Sequence, residues 1–132
     1  MASVRKEIQI DAGPDAVWDA VRDFGALHER LVKGFVVDTE LDGSDRIVTF
    51  ANGAVQREPL VSLDDDARRL VYGAVDSPIG ATHYNATVTV ISDGGSGSQI
   101  DWVVDVLPNE LEPILSQVMD HGAAAMKATL ES

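Results

Sequence analysis

The chain has 132 residues, enough for one domain with a single core. Its formal net charge of −12 repels nucleic-acid phosphates and anionic lipid surfaces at long range. It has no cysteine, which excludes disulfides, thiolate metal sites and cysteine nucleophiles, and its 45% apolar content is too high for a disordered acidic tail.

Residues 3–11, SVRKEIQID, alternate. Val4, Ile8 and Ile10 share a face with Lys6, while Arg5, Glu7, Gln9 and Asp11 face the other way, which predicts a half-buried strand. AGPDAVWDAVRDF then begins a helix. Pro14 suits the first helical position after Gly13, and Val17, Trp18, Val21 and Phe24 form an apolar stripe. Gly25 breaks the helix. ALHERLVK predicts a second short helix, ended by Lys33 and Gly34. FVVDTEL and RIVTFA read as strands joined by the turn DGSD, and ANGA makes the next tight connection.

The next strand, AVQREPLVSLDDD at residues 54–66, raises a question of facing. Simple alternation buries Val55, Val61 and Leu63 and leaves Glu58 in water. Pro59 cannot donate a ladder hydrogen bond, so a bulge near it would shift the register midway. The strand ends in an Asp-rich turn. RLVYGAV is a fifth strand, and DSPIGAT a Pro/Gly loop. HYNATVTVI sets Tyr84, Ala86, Val88 and Val90 against His83, Asn85, Thr87 and Thr89. SDGGSGS is a flexible hairpin loop, and QIDWVVDVL turns Ile100, Trp102, Val104 and Val106 inward. The last 20 or so residues are helical, with Leu111, Leu115, Val118, Gly122 and Met126 at helical spacing. Asn109 with Glu112 resembles a capping box, while Pro113 allows a start near Glu112.

These elements predict an α+β fold over residues 1–132: an antiparallel sheet of about seven strands, curved around a long C-terminal helix, with two short helices after the first strand. Small inward residues (Ala74, Ala86, Gly122, Ala125) leave room for a cavity between sheet and helix, or else pack tightly. The N-terminus has no apolar signal core, and no apolar run approaches the roughly 20 residues of a membrane span. A cytoplasmic protein without stable membrane insertion is expected.

Few familiar chemistries find support. His28, His83 and His121 are scattered, without metal-ligand spacing, so neither metal nor cofactor is expected. Ser62, Ser77 and Ser116 lack a Gly-x-Ser-x-Gly context. Gly94 to Gly97 has no lysine and no following helix, so it is not a phosphate loop.

Several motifs occur in a telling order. They are IDAGPDAVWDAVRDF (Ile10 to Phe24), Gly43 with Arg46, Arg57-Glu58 leading to Leu63-Asp64-Asp65, Ser77-Pro78, Tyr84-x-Ala86, and Trp102. Together they resemble the START/polyketide-cyclase/pollen-allergen superfamily, known as SRPBCC, over nearly the whole chain. The nearest likeness is to bacterial polyketide cyclase/dehydrase-like and lipid-transport-like proteins; plant abscisic-acid receptors are more distant. The resemblance implies a helix-grip fold with a cavity gripped by the C-terminal helix. It implies that Val48, Phe50, Glu58, Leu60, Tyr72, Ala74, Tyr84, Ala86 and Trp102 line that cavity, with Leu31, Val32, Leu115, Met119 and Met126 from the helices. It turns Glu58 inward, against the alternation. The receptors' gate sequence is replaced by Ala51-Asn52-Gly53-Ala54, their latch is absent from Ser77–Thr82, and Glu29 stands near their pocket lysine. Hormone signalling and a carboxylate ligand are therefore not implied.

Three functions fit. The first is binding or transport of a small hydrophobic molecule, such as a polyketide, lipid, isoprenoid or sterol-like compound. The second is a polyketide cyclase, aromatase or dehydratase, with Glu58 as general acid/base and Tyr84, helped by Tyr72, polarising a carbonyl. The third is a ligand-gated regulatory module whose loops at 51–54 and 77–82 close over ligand. Against catalysis stands a Glu58 paired with Arg57, Arg46, His28 or Arg30, or wet at the rim. Trp102 is either core or a platform for a flat ligand, and Met119 with Met126 either core or an adaptable wall. A homodimer is left open.

Overall fold

The alternating N-terminal segment forms β1 (Ala2–Ile10) in the computed structural model, which describes residues 1–132. Six further strands follow: β2 (Val36–Asp42), β3 (Asp45–Phe50), β4 (Val55–Asp64), β5 (Arg69–Gly73), β6 (His83–Ser92) and β7 (Ser98–Leu107). They form one antiparallel sheet in the order β1-β7-β6-β5-β4-β3-β2. Chain neighbours are therefore sheet neighbours from β2 to β7, and β1 joins at the far edge. Helices α1 (Pro14–Arg22) and α2 (Leu27–Arg30) span the gap between β1 and β2, and α3 (Glu112–Leu130) closes the chain. This is the helix-grip fold.

Helix α1 starts where the sequence predicts. Gly13 is extended, Pro14 follows it, and Val17, Trp18 and Val21 are buried on the sheet side. Its outer end is tied to the Asp-rich turn after β4. Trp18 Nε1 donates to Asp65 Oδ1 at 2.9 Å, and Arg22 Nε donates to the same oxygen at 2.8 Å. Helix α2 is shorter than expected, ending at Arg30 rather than Lys33. Leu31 and Val32 nevertheless stay buried in the turn that follows, so burial and not helix length positions them.

Three further local expectations fail. The capping box does not form: a 3₁₀ turn takes Asn109–Leu111, and α3 starts at Glu112 with Pro113 in its first turn and no side-chain cap. Strand β5 stops at Gly73, although the Val75 amide still donates to the Arg57 carbonyl at 2.9 Å. The alternation within β4 is the third failure. Val55 and Val61 are 51% and 61% exposed, whereas Gln56 and Glu58 are buried. The β4–β5 register slips between Leu60 and Ser62, which makes Val61 the bulged residue, two positions past Pro59. Beyond the bulge, Leu63 returns to the core side opposite Leu70. Before it, the even-numbered residues point inward, polar ones included.

Helix α3 crosses the hollow face of the sheet and is stitched to β1. Lys6 sits on the inner face of β1 and finds its partners on the helix: Nζ donates to Ser116 Oγ at 2.9 Å and pairs with Asp120 Oδ1 at 2.7 Å. Near the other end, Lys127 Nζ donates to the Gln9 carbonyl at 2.7 Å, and the Asp11 amide donates to Glu131 Oε2 at 2.8 Å. No helix is long and apolar enough to cross a membrane.

Candidate functional site: a cavity between sheet and α3

The space between the sheet and α3 is not filled. A cavity of about 640 Å³ lies between the sheet's inner face and α3, with Phe35, Asn52 and Ile79 among the residues that line it. Its walls are mostly apolar. Leu31, Val32, Val48, Phe50, Glu58, Tyr72, Tyr84, Trp102, Leu115, Met119 and Met126 all line it. Leu60, Ala74 and Ala86 do not. Leu60 packs half-buried against the core beside the bulge. Ala74 lies just past the end of β5. Ala86 is fully buried between Tyr72 and Val104 in the sheet, too short to reach past them.

Glu58 faces the cavity, and its carboxylate is engaged on both oxygens. Arg46 Nε donates to Oε1 at 2.7 Å, and Gln56 Nε2 donates to Oε2 at 2.6 Å. Arg46 and Glu58 are each less than 5% exposed. The guanidinium also donates to the Phe24 carbonyl at 3.3 Å. Its central carbon lies 4.0 Å from the Phe24 ring centre and 4.8 Å from that of Tyr72, so the cation is packed against two aromatic rings. One charge balances the other, and bonds from Gln56 to the carboxylate and from the guanidinium to the Phe24 carbonyl support the buried pair. Of the arrangements open from sequence, pairing with Arg46 is the one found. Arg57 turns outward instead, to Asp42 and Asp45.

Arg46 and Gln56 are lining residues that the sequence reading left out. A signal for them existed. The tight connection at 51–54 sets the β3–β4 register, which places Arg46 opposite Glu58 and Val48 opposite Gln56. Once Glu58 faces in, period two brings in Gln56 on its own strand and Arg46 across from it.

Two phenols complete this wall. Burial raises the Tyr72 hydroxyl above its usual range, and the Glu58 carboxylate raises it further. Burial also raises Tyr84, helped by Tyr72 and Glu58. Tyr84 keeps part of its surface free, and as a lining residue it turns that surface to the cavity. Both phenols remain protonated donors near neutral pH. Trp102 stands beside them, its indole N–H buried without a hydrogen-bond partner. The Trp102 N–H works against the rise at Tyr72, as the smallest of the influences on that hydroxyl. The other end of the indole lies under α3 at Gly122, where a Cβ would come within 3.0 Å of Cη2 and Cζ3. Glycine there is what lets the helix pass over the ring.

The histidines do not converge. His121 is exposed on α3 and borders the cavity, His28 bonds Thr39, and His83 is exposed on β6. No three metal-ligating side chains gather anywhere in the chain.

Residues 1–131 match the model of the family described as polyketide cyclase/dehydrase and lipid transport. No curated protein sequence matches the chain. Among solved structures it is similar to the protein XoxI from Bacillus cereus, with a TM-score of 0.88 at 22% identity over 98% of this chain and 96% of that one. It is similar to a START superfamily protein from Mycobacterium smegmatis, with a TM-score of 0.81 at 12% identity over 97% and 96% of the two chains. It is also similar to the di-domain aromatase/cyclase BexL of the BE-7585A biosynthetic pathway, with a TM-score of 0.82 at 16% identity. That likeness covers 98% of this chain and 46% of BexL. At these identities the likeness is one of fold.

Proposed function

The chain belongs to the polyketide cyclase/dehydrase and lipid transport family, and on that premise we propose that it binds and shields a small, mostly apolar molecule in the cavity under α3. One observation carries this reading: a hollow of about 640 Å³ with mostly apolar walls and, on the sheet, a polar patch whose charges already cancel. That volume falls within the roughly 300–1,000 Å³ typical of small-molecule sites. Filling it removes apolar surface from water at both partners, and the patch orients one polar end. Polyketide, lipid, isoprenoid and sterol-like molecules all fit this description. Native mass spectrometry of the purified protein tests it. A co-purifying apolar molecule supports the reading. A protein that stays empty and takes up no apolar probe refutes it.

A cyclase, aromatase or dehydratase is the second reading, favoured by Glu58 and Tyr84 lining one cavity. Glu58 would act as acid/base and Tyr84 as carbonyl partner. Glu58 would first have to loosen from Arg46, because both its oxygens are engaged. Catalysis requires that Glu58→Gln abolish turnover while binding is kept; normal turnover in that variant removes Glu58 from the role.

A further inference from the structure

The tip of the β3–β4 hairpin holds an asparagine–glycine pair, Asn52–Gly53, that the binding reading leaves unused. Of the three asparagines in the chain, Asn52 alone is followed by glycine. It lines the cavity and is also exposed. Gly34, Ala51, Pro78, Ile114 and His121 share that double position, so these residues mark the rim, and none carries a permanent charge. The Asn52 side chain folds back along the turn, where its Oδ1 accepts the Ala54 amide at 2.9 Å. That bond draws electrons from Cγ and keeps it beside the Gly53 amide, which lies between the two bonded residues. Glycine has no side chain to shield its nitrogen. The Gly53 N–H donates to the Phe50 carbonyl at 2.9 Å, so the nitrogen is released only when the turn opens. At an exposed hairpin tip such opening costs little and is far faster than amide chemistry.

We infer that Asn52 is a site of spontaneous deamidation in the folded protein, and that the carboxylate formed there weakens the uptake of apolar molecules. The Gly53 nitrogen attacks Asn52 Cγ, and the new N–C bond closes a five-membered imide. The Cγ–Nδ2 bond breaks, and ammonia leaves with the proton that Gly53 gives up. Water then opens the ring at either carbonyl, leaving an aspartyl or an isoaspartyl residue. One water enters, one ammonia leaves, and nothing is oxidised or reduced. The aspartyl product keeps an acceptor for the Ala54 amide, so the turn survives. The isoaspartyl product takes Cβ into the main chain and lengthens the tip that the Phe50 amide and Ala54 carbonyl close at 2.8 Å. Either product sets a negative charge on the uncharged rim, and an apolar molecule that covers it strips away part of its water. The effect on uptake rests on the binding reading above; the deamidation itself does not.

Purified protein aged over days at mildly alkaline pH and body temperature, then digested for mass spectrometry, provides the test. The expected result is an amide-to-acid mass gain confined to the peptide that holds Asn52, with Asn85 and Asn109 as internal references. Mass also separates this change from isomerisation at Asp42–Gly43 and Asp93–Gly94, which leaves mass unaltered. A sample aged in guanidinium chloride gives the rate of the open chain. The converted protein and the Asn52→Asp variant are each expected to bind the apolar fluorophore N-phenyl-1-naphthylamine about fivefold more weakly than fresh protein, the scale of partly dehydrating a polar group. Asn52→Gln blocks the five-membered ring, and its affinity, whatever its starting value, should not drift on ageing. The inference is overturned if Asn52 stays an amide in the folded protein while the denatured sample converts, or if converted protein binds the probe as tightly as fresh protein. In either case fresh protein still binds and the broader binding reading survives. If fresh protein does not bind the probe, the binding reading fails and the effect on uptake falls with it, while the mass gain still decides whether Asn52 deamidates.

Discussion

Arg46 and Glu58 meet across the β3–β4 hairpin, Nε to Oε1 at 2.7 Å, almost wholly out of contact with solvent. The pair explains why β4 carries polar residues inward and valines outward. It also predicts an asymmetry. Arg46→Met alone or Glu58→Leu alone strands a buried charge, and each is expected to cost about 3–5 kcal/mol. The double variant removes both charges and should recover most of that loss. Urea unfolding of the four proteins measures it; equal and additive losses would show that the two side chains do not act as a pair.

The two tyrosines of the chain both lie on the cavity, so phenol absorbance reports on the cavity alone. Burial raises both above the ordinary value of 10.0. Above that pH the unfolded chain loses phenol protons that the folded chain keeps. The unfolded state then binds fewer protons, and stability falls as pH rises. An absorbance titration should show no phenolate until the protein unfolds at alkaline pH. Reversible ionisation near pH 10 with the fold intact would contradict the burial.

Asp65 gives the opposite limb. Arg22, and then the Trp18 N–H, hold its carboxyl below the ordinary value of 3.8. A depressed folded value adds stability above the unfolded value, and that stability is lost as pH falls through the folded one. The window therefore lies below about pH 4. Asp65→Asn should flatten this part of the acid-unfolding curve and leave the curve above pH 5 parallel to wild type. Thermal melts across pH 2–6 provide the comparison.

Gly122 is where α3 and Trp102 compete for space. Alanine favours a helix interior by about 1 kcal/mol over glycine. Here its methyl meets the indole at 3.0 Å, so the ring must give way into the cavity or the helix must lift. The two effects oppose each other, and Gly122→Ala is expected to change stability by less than about 1 kcal/mol. Binding of N-phenyl-1-naphthylamine should weaken by more than that small change suggests, because the ring moves into the ligand's space. Unchanged binding would mean that Trp102 has room to spare.

Strands and helices whose apolar pattern agreed with their packing were legible from the residues. Val4, Ile8 and Ile10 mark β1, Val17 and Val21 mark α1, and Trp102, Val104 and Val106 mark β7, because one face of each is apolar and buried. β4 was not legible in this way. Its inner face holds Gln56 and Glu58, and its outer face Val55 and Val61, so hydrophobicity pointed the wrong way. Only tertiary pairing with Arg46, plus a bulge that Pro59 signals and periodicity does not, makes that arrangement stable. Likewise the small residues suggested a hollow without saying which of them opens onto it. Ala86 is closed in by its cross-strand neighbours, while Gly122 makes room for an indole.

The stitching of α3 to β1 joins the first strand of the chain to its last helix. On a ribosome the hollow face of the sheet emerges before the segment that covers it. Until Ser116, Asp120, Lys127 and Glu131 have emerged, β1 lacks its partners for Lys6, the Gln9 carbonyl and the Asp11 amide. Contacts this distant along the chain form late and slowly. The ligand chamber therefore closes only once α3 has emerged, and a nascent chain halted before α3 presents its binding wall as a bare apolar surface to whatever waits at the tunnel exit.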